Sequence, residues 1–371
     1  MKIRTITCHD VNNYGASLQA LALQTFLTEL GHDVKIIDYL PEYSIPYNVW
    51  RVHPSSHLYK VSKYSHLVKL FCAARSYLRI RPTLKRKDAF CEFNRKYLSL
   101  TRHYDKYIEL ATDPPEADVY IAGSDQIWRT NLCNGKDPAF YLQFGAEKTK
   151  RISYAASFGL PYITDGLDYL IKTYLSSFDC ISVRESSGIE ILRNLGISGE
   201  LVMDPVFLLS GKEWKELLEI TENPINDPYI LVYDLNQREM REEKESAVKE
   251  YAEKYHLKIV AVNDIHETPY AQINIDDAGP VEFVNLISHA SYVVSDSFHA
   301  TAFCTIMHTP FSVFFSRPQA VRISDYLSML GLSMRMNNRQ GLYDIIDWDD
   351  VQLIMDRNIN KAKDFLSQNI Q

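Results

Sequence analysis

Several features that mark large classes of proteins are missing from this sequence of 371 residues. Its longest apolar runs are far shorter than the roughly 20 residues that a membrane helix needs, and a strand-like segment follows Met1 directly. We therefore expect neither a transmembrane helix nor a signal peptide. The six cysteines lie far apart and form no C-x-x-C pair. This pattern favours reduced, buried thiols in a cytoplasmic protein over a disulfide framework.

Charge and glycine content argue against two further classes. The net charge of -7 is unfavourable for a general nucleic-acid-binding protein, which needs a basic domain. The turn after the first predicted strand, at residues 10–15, contains a single glycine. It lacks the G-x-G-x-x-G pattern, so a dinucleotide cofactor of the Rossmann type is weakly supported.

Positive charge is concentrated in one segment, residues 57–97, which contains 11 Lys and Arg but only Asp88 and Glu92 as acids. Its apolar spacing predicts an inserted helical arm. A solvated helical surface would explain the charge. A basic patch, including Lys85, Arg86 and Lys87, would instead meet an anionic membrane surface or a lipid-linked phosphate.

Strands alternate with helices twice along the chain, which predicts two doubly wound α/β domains that face each other across a cleft. Two prolines and the lack of a core pattern mark residues 221–228 as the linker. The predicted parts are an N-terminal α/β domain at 1–220 with the basic insertion at 57–97, a C-terminal α/β domain at 229–345, and a final helix at 349–371.

A polar turn between a predicted strand and a predicted helix, at residues 292–306, is the most informative stretch. Ser295, Ser297 and His299 follow the apolar strand and precede the helix. Such a turn offers backbone N–H groups, hydroxyls and an imidazole to an anion in the crevice of an open α/β sheet. Alternatively, the serines only cap the helix and His299 is a satisfied, half-buried histidine.

Two other strand ends carry polar side chains. Residues 123–128 combine Gly, Ser, Asp, Gln, Ile and Trp, a set that suits the hydroxyls and the apolar face of a sugar. A turn with a helix cap at Ser124 or Asp125 would explain them equally. Arg184 follows another strand, where it would bind phosphate or carboxylate as a bidentate fork. An ion pair with Glu185 or a nearby acid is the alternative.

Six stretches, taken together and in order, resemble those of the polysaccharide pyruvyl transferase family. They lie at 13–16 with 18–20, 123–128, 154–159, 183–185, 203–205 and 295–301. The resemblance implies a GT-B-like arrangement of the two domains, phosphoenolpyruvate as donor, and transfer of a pyruvyl group onto two sugar hydroxyls as a cyclic ketal. It also implies a role in the biosynthesis of a capsule or exopolysaccharide, with no cofactor besides the donor.

The resemblance also assigns roles to residues. His299 matches the family's histidine and would carry the proton to phosphoenolpyruvate, or serve only as a phosphate ligand; Asp125 would orient or deprotonate the acceptor. Some members have an arginine where this chain has Ser297, so Arg322, or less favourably Arg317, would supply the charge. The donor-binding set is Arg184, Ser295, Ser297, Phe298 and Arg322; the acceptor-binding set is Asn13, Tyr14, Gln19, Ser124, Gln126 and Trp128.

The expected acceptor is a hexose, modified at its 4 and 6 positions, in a glycan that is either free or linked to a lipid diphosphate. The basic arm favours the lipid-linked form and peripheral association with the inner face of the cell membrane. No metal and no nucleic acid are expected, and no oligomeric state is predicted. Two other readings stay open: a nucleotide-sugar-dependent GT-B glycosyltransferase, and a non-catalytic protein that binds sugars.

Overall fold

Two parallel β-sheets form the framework of the protein. The structure is a computed structural model that describes residues 1–44, 65–235, 240–263, 267–315 and 320–370. Strands up to Leu201 belong to a seven-stranded sheet, and strands from Tyr229 onward belong to a five-stranded sheet. The predicted class, two doubly wound α/β domains, is confirmed.

The first sheet has the order β3-β2-β1-β4-β5-β6-β7 and is parallel throughout. Its edge strand β3 was not predicted from the sequence, because Leu100–Tyr104 is exposed at two positions and lacks a continuous apolar run. The strands are β1 (Lys2–Ile6), β2 (Asp33–Tyr39), β3 (Leu100–Tyr104), β4 (Val119–Ala122), β5 (Lys150–Ala156), β6 (Cys180–Val183) and β7 (Glu200–Leu201).

Three helices of this half, the first, the second and the last, begin at side-chain caps. The side chain of Asn13 accepts a hydrogen bond at the start of the first helix, and Ser210 and Glu213 form a capping box. The helices are α1 (Tyr14–Glu29), α2 (His66–Tyr97), α3 (Tyr107–Thr112), α4 (Asp168–Leu175), α5 (Ser186–Asn194) and α6 (Gly211–Leu217).

The second sheet has the order β10-β9-β8-β11-β12 and is also parallel. Its strands are β8 (Tyr229–Tyr233), β9 (Lys258–Val262), β10 (Ile273–Ile275), β11 (Tyr292–Ser295) and β12 (Phe311–Val313), and its helices are α7 (Arg241–Tyr255), α8 (Pro280–His289), α9 (Phe298–Met307), α10 (Ala320–Met329) and α11 (Trp348–Ile370). Helix α11 returns to the first half, where Phe365 lies 6.3 Å from the ring of Tyr154.

Alternation along the strands joins the two halves into one core. In β8, Leu231 points into the same apolar cluster as Ile3 and Ile121 of the first sheet, whereas Ile230 and Val232 point to a separate outer cluster. Successive strand residues face opposite sides of a sheet. The shared cluster therefore holds the two domains together across the cleft between them.

Helix α2 exposes most of its described side chains, as a solvated helical surface would, but it buries Arg86. Arg86 is only 3% exposed, lies over the ring of Tyr14 at 4.8 Å, and donates hydrogen bonds to the carbonyl oxygens of Asn12 (3.3 Å) and Asn263 (3.4 Å). Those carbonyls belong to different domains, so Arg86 ties the helix to both. The expected basic surface loses this residue, whereas the Lys85 side chain is 77% exposed.

Parts of the sequence predictions need adjustment. Residues 57–64 of the basic segment lie outside the described residues. The six cysteines are unpaired as expected, but Cys91 and Cys133 are exposed rather than buried. Within the part of the chain that the structure describes, no helix is long and apolar enough to span a membrane.

A chain of hydrogen bonds between ionisable groups lies at the carboxyl ends of β1, β2 and β3. Asp38 accepts from His103 Nδ1 (2.9 Å) and lies 3.2 Å from His9 Nε2, while His103 Nε2 lies 3.1 Å from Asp105. Burial alone would lower the pKa of His103, but Asp38 and Asp105 raise it. Protonated His103 therefore stabilises the fold.

We predict that His103→Gln destabilises the protein more at pH 5.5 than at pH 8.5. A raised pKa in the folded state contributes stability that is complete below the ordinary histidine pKa and is lost as pH rises through the folded value. The difference should be below about 1 kcal/mol, because water screens a half-exposed group. Urea denaturation at both pH values measures it, with exposed His66→Gln as control. An equal loss at both pH values would contradict the prediction.

Candidate active site

The strand order reverses once in each sheet, between β1 and β4 in the first and between β8 and β11 in the second. Ligands of open α/β sheets bind outside the carboxyl ends of the strands at such points. The turns that follow β1, β4 and β11 lie at these carboxyl ends. They comprise residues 7–13, 123–128 and 296–297. The predicted site residues in these turns therefore belong to one region of the molecule.

At the centre of this region, Arg184 is surrounded by carboxylates. Its side chain is 1% exposed; Nη1 donates to Asp204 Oδ2 (2.6 Å) and Nη2 to Asp125 Oδ1 (3.1 Å), and Nε lies 3.8 Å from Glu185 Oε2. Burial alone would lower the pKa of Arg184, but the three acids raise it. This geometry matches the alternative in which Arg184 forms ion pairs with nearby acids. Its guanidinium holds the three carboxylates in place.

Asp204 connects this cluster to the other domain. Its Oδ2, which accepts from Arg184, lies 3.7 Å from Nε2 of His299, and its Oδ1 accepts from the backbone N–H of Val206 at 3.1 Å. Burial alone would raise the pKa of Asp204, but His299 and Arg184 hold it well below its usual range. Asp204 is therefore a carboxylate that faces the imidazole of His299.

His299 is nearly buried, with 8% of its surface exposed, yet its Nε2 has no hydrogen-bond partner among the described residues. It lies in the first turn of α9, and its ring contacts Gly15 in the first turn of α1. The alternative of a fully satisfied histidine does not describe this ring. An imidazole at the edge of the cleft, with a carboxylate beside it, can bind an anion or transfer a proton.

Arg322 supplies a cation that is not held by acids. It is half-buried on α10 and within electrostatic reach of Arg184, Glu185 and Asp125; burial and the neighbouring Arg184 lower the pKa of Arg322 to about 10. Among the described residues, its guanidinium forms neither a hydrogen bond nor an ion pair. Such a cation gains more from a bound anion than Arg184 does. Arg317 lies outside the described residues.

The predicted donor-binding serines serve the turn itself. Ser297 caps α9 by accepting from the backbone N–H of Ala300 at 3.4 Å, and Ser295 Oγ donates to the carbonyl oxygen of Tyr233 while it accepts from the Ser297 N–H. Both serines are buried, so the capping alternative describes their side chains. Phe298 is half-buried, with its ring centroid 5.6 Å from the Arg184 guanidinium carbon.

Two predicted acceptor residues, Gln19 and Ser124, are buried in a network inside the first domain. The Ser124 N–H donates to Gln19 Oε1 (3.0 Å), Gln19 Nε2 donates to Thr7 Oγ1 (2.9 Å), and Ser124 Oγ donates to the Ala155 carbonyl oxygen (2.7 Å). These bonds occupy the polar atoms that were expected to face a sugar. The network instead fixes the turn after β4 against α1.

The two predicted aromatic contacts, Trp128 and Tyr14, are buried as well. Trp128 Nε1 donates to the Phe140 carbonyl oxygen (3.0 Å). The Tyr14 hydroxyl donates to the Ala278 carbonyl oxygen (2.9 Å), and its ring stacks on Phe283 with centroids 4.1 Å apart. Trp128 is therefore a core residue and Tyr14 a contact between the domains, rather than platforms for a sugar.

Three predicted side chains stay accessible in or near the cleft: Asp125 and Gln126, which are half-buried, and Asn13, which is exposed. The Asn13 side chain caps α1 through the N–H of Ala16, and Gln126 Oε1 accepts from Arg129 (2.9 Å). Asp125 has its charge partly balanced by Arg184, and its side chain is 18% exposed.

Two residues of the site were not singled out from the sequence. Asp204 lay in the motif 203–205. The local sequence does not show whether this carboxylate pairs with a distant residue or only caps the turn that follows it. Gly15 stood in the motif 13–16 as the only glycine of its turn. A lone glycine at a helix start was the signal that the sequence offered. The reason for the glycine, its contact with the His299 ring, is visible only in the tertiary structure.

The geometry defines a two-domain α/β protein with arginines, a histidine and carboxylates gathered at its strand ends, and comparisons with solved structures agree with this fold. The chain resembles UDP-GlcNAc 2-epimerase from Neisseria meningitidis (TM-score 0.50, 11% identity, 100% of this chain and 99% of that chain). It also resembles glycosyltransferase SnogD from Streptomyces nogalater (TM-score 0.42, 10% identity, 100% and 99%). A search of curated proteins found no match. The likeness to the epimerase shows the fold alone, and together with the two parallel sheets it confirms the GT-B-like architecture expected from the sequence.

The sequence model of the family described as polysaccharide pyruvyl transferase matches residues 13–314. The match covers most of the chain and includes every candidate site residue discussed above except Arg317 and Arg322. The chain therefore belongs to the polysaccharide pyruvyl transferase family and is a transferase enzyme.

We predict that Arg184 and Arg322 respond differently to replacement by methionine. Arg184→Met leaves buried carboxylates without their cation and should cost about 3–5 kcal/mol of unfolding free energy. Arg322→Met removes a half-buried cation that has no ion partner among the described residues, and should change stability by less than about 1 kcal/mol. Urea denaturation of both variants measures this contrast. Equal losses would contradict the assignment of Arg184 to structure and Arg322 to ligand binding.

Proposed function

We propose that this enzyme transfers the pyruvyl group of phosphoenolpyruvate onto two hydroxyls of a hexose, at the 4 and 6 positions, and releases phosphate. Two observations carry the proposal: His299 lacks a hydrogen bond at Nε2, and Arg322 lacks an ion partner among the described residues. Both border the Arg184 and Asp204 cluster. An enol phosphate with a carboxylate needs such cations and a proton donor.

The reaction can be written with these groups. His299 gives a proton to the methylene carbon of phosphoenolpyruvate, and a sugar hydroxyl attacks the central carbon as the bond to the phosphate oxygen breaks. A second hydroxyl then attacks the same carbon and closes a six-membered ketal. Of the two hydroxyl protons, one returns to His299 and the other leaves with phosphate. Arg322 stabilises the departing charge, and Asp125 orients the attacking hydroxyl as a hydrogen-bond acceptor.

We predict that sugar-dependent release of phosphate from phosphoenolpyruvate is lost in His299→Ala. The loss in kcat should be about 10²–10⁴-fold, as for other general acids. Arg322→Met should instead raise KM for phosphoenolpyruvate by about 10–100-fold, since charge-assisted hydrogen bonds contribute that much. A phosphate assay with a panel of galactosides, mannosides and N-acetylhexosaminides measures both effects, and mass spectrometry identifies the ketal.

The same assay distinguishes the pyruvyl transferase from the alternative, a glycosyltransferase that uses nucleotide sugars. If nucleotide sugars react and no sugar triggers phosphate release from phosphoenolpyruvate, the enzyme is a nucleotide-sugar-dependent glycosyltransferase. The matched control variant is Arg129→Met, which removes a neighbouring cation that already donates to Gln126 and Asn131. It should leave KM for phosphoenolpyruvate within about threefold of the wild-type value.

We further propose that the acceptor is linked to a lipid diphosphate and that the enzyme acts in the cytoplasm at the membrane surface. Leu67, Leu70 and Phe71 are 80%, 55% and 60% exposed on one face near the start of α2. Their spacing places them together on the helix. They lie within a segment of strongly positive charge, and apolar side chains among basic ones are the features of a helix that binds an anionic bilayer.

We predict that the wild-type protein sediments with vesicles of phosphatidylcholine and phosphatidylglycerol but not with phosphatidylcholine alone. Replacing Leu67, Leu70 and Phe71 by glutamine should lower binding at least roughly fivefold. A triple glutamine variant at Leu132, Ile345 and Leu353, which are also exposed, is the control and should bind as the wild type does. Equal binding by both triple variants would overturn the membrane proposal without affecting the reaction.

A further inference from the structure

The ring of His299 occupies the space where any other residue at position 15 would place its side chain. A Cβ added at Gly15 would meet Nδ1, Cε1 and Cγ of His299 well inside the 3.0 Å that real Cβ atoms keep from neighbouring heavy atoms. Gly15 lies in the first turn of α1 in the N-terminal domain, whereas His299 lies in the first turn of α9 in the C-terminal domain. The missing side chain therefore determines how closely the two helix starts approach.

Other contacts hold the starts of both helices, so the two backbones cannot move apart freely. The start of α1 is anchored on the C-terminal domain by the Tyr14 hydroxyl, which donates to the Ala278 carbonyl oxygen, and by its ring on Phe283. The start of α9 is fixed by the cap at Ser297. In a core packed at this density, an added methyl group must displace the softest neighbour. Here that neighbour is the His299 ring.

The opposite edge of the same ring faces the N-terminal domain as well. His299 Nε2 lies 3.7 Å from Asp204 Oδ2, and Asp204 is held by Arg184 at 2.6 Å. His299 is thus a residue of the C-terminal domain whose two ring edges are both bounded by the N-terminal domain. Separating the domains would remove Gly15 and Asp204 from the ring together.

We propose that Gly15 is a positioning residue for His299, and that the imidazole is competent for transfer only while the domains are closed on it. The inference rests on the proposed function for its catalytic part, because it gives His299 the proton-transfer role. Its structural part, the contact between position 15 and the ring, does not depend on any substrate.

The catalytic part is tested by the kinetics of Gly15→Ala. Displacing the ring should lower kcat at least roughly 30-fold, while KM for phosphoenolpyruvate changes less than about threefold because Arg322 is untouched. In the His299→Ala background the same substitution should have no further effect on kcat. Because a loss of folded protein would also lower the apparent kcat at unchanged KM, kcat is calculated per folded enzyme, with the folded fraction measured by circular dichroism. Wild-type kcat in Gly15→Ala would overturn the proposal.

The structural part is tested by a double-mutant cycle of thermal unfolding. Alanine normally stabilises a helix relative to glycine, but Gly15→Ala should lower Tm because of the clash with the ring. In His299→Ala, where the ring is absent, Gly15→Ala should leave Tm unchanged or raise it. An equal fall in Tm in both backgrounds would show that position 15 does not act through His299 and would overturn the proposal.

The two tests fail separately. If no sugar and no phosphoenolpyruvate react with the wild type, the proposed function fails, yet the cycle of Tm values still reports the contact between position 15 and the ring. If the reaction proceeds and the Tm cycle shows no coupling, only the positioning role of Gly15 fails. The imidazole resonance of His299, identified by its loss in His299→Ala, should also shift in Gly15→Ala, and an unshifted resonance would count against the proposal.

Discussion

A buried guanidinium with carboxylates on three sides is the constraint on which the rest of the site depends. Removing Arg184 and its acids from water is costly, and the cost is offset only while each charge keeps its partner at short range. The acids come from separate places in the chain: Asp125 follows β4, Glu185 adjoins Arg184 after β6, and Asp204 follows β7. The cluster therefore fixes three strand ends relative to one another.

This fixed cluster presents one carboxylate, Asp204, to the imidazole of the other domain. Because Asp204 is held by Arg184 and by a backbone N–H, its charge stays in place as His299 changes its protonation or its ligand. Preorganised charge of this kind stabilises a reacting group without reorganising during the reaction. Arg322 differs from Arg184, because no acid holds it among the described residues and its charge is not balanced by an ion pair.

The basic segment shows how one stretch of sequence can serve two purposes. Arg86 lies between the domains against Tyr14 and bonds to a carbonyl of each, so a residue that looked like part of a charged surface stabilises the closed arrangement. Near the start of the same helix, Leu67 and Phe71 are exposed. The later turns of α2 therefore bury one face, with Arg86, Phe90 and Phe93, whereas the first turns leave apolar side chains exposed.

The sequence by itself determined the architecture and the family, and it named the stretches that contain the candidate site residues. Period-two and period-3.6 patterns identify strands and helices locally, strand ends mark the crevice, and the ordered motifs around Arg184 and His299 identify the family. The edge strand Leu100–Tyr104 was not predicted, because it lacks a continuous apolar run. Which side chains face the cleft was decided only by tertiary structure: Trp128 and Gln19 are buried, while Asp204 and Gly15 meet His299. Such partners are distant in the chain, and local periodicity contains no information about which distant residue fills a given space.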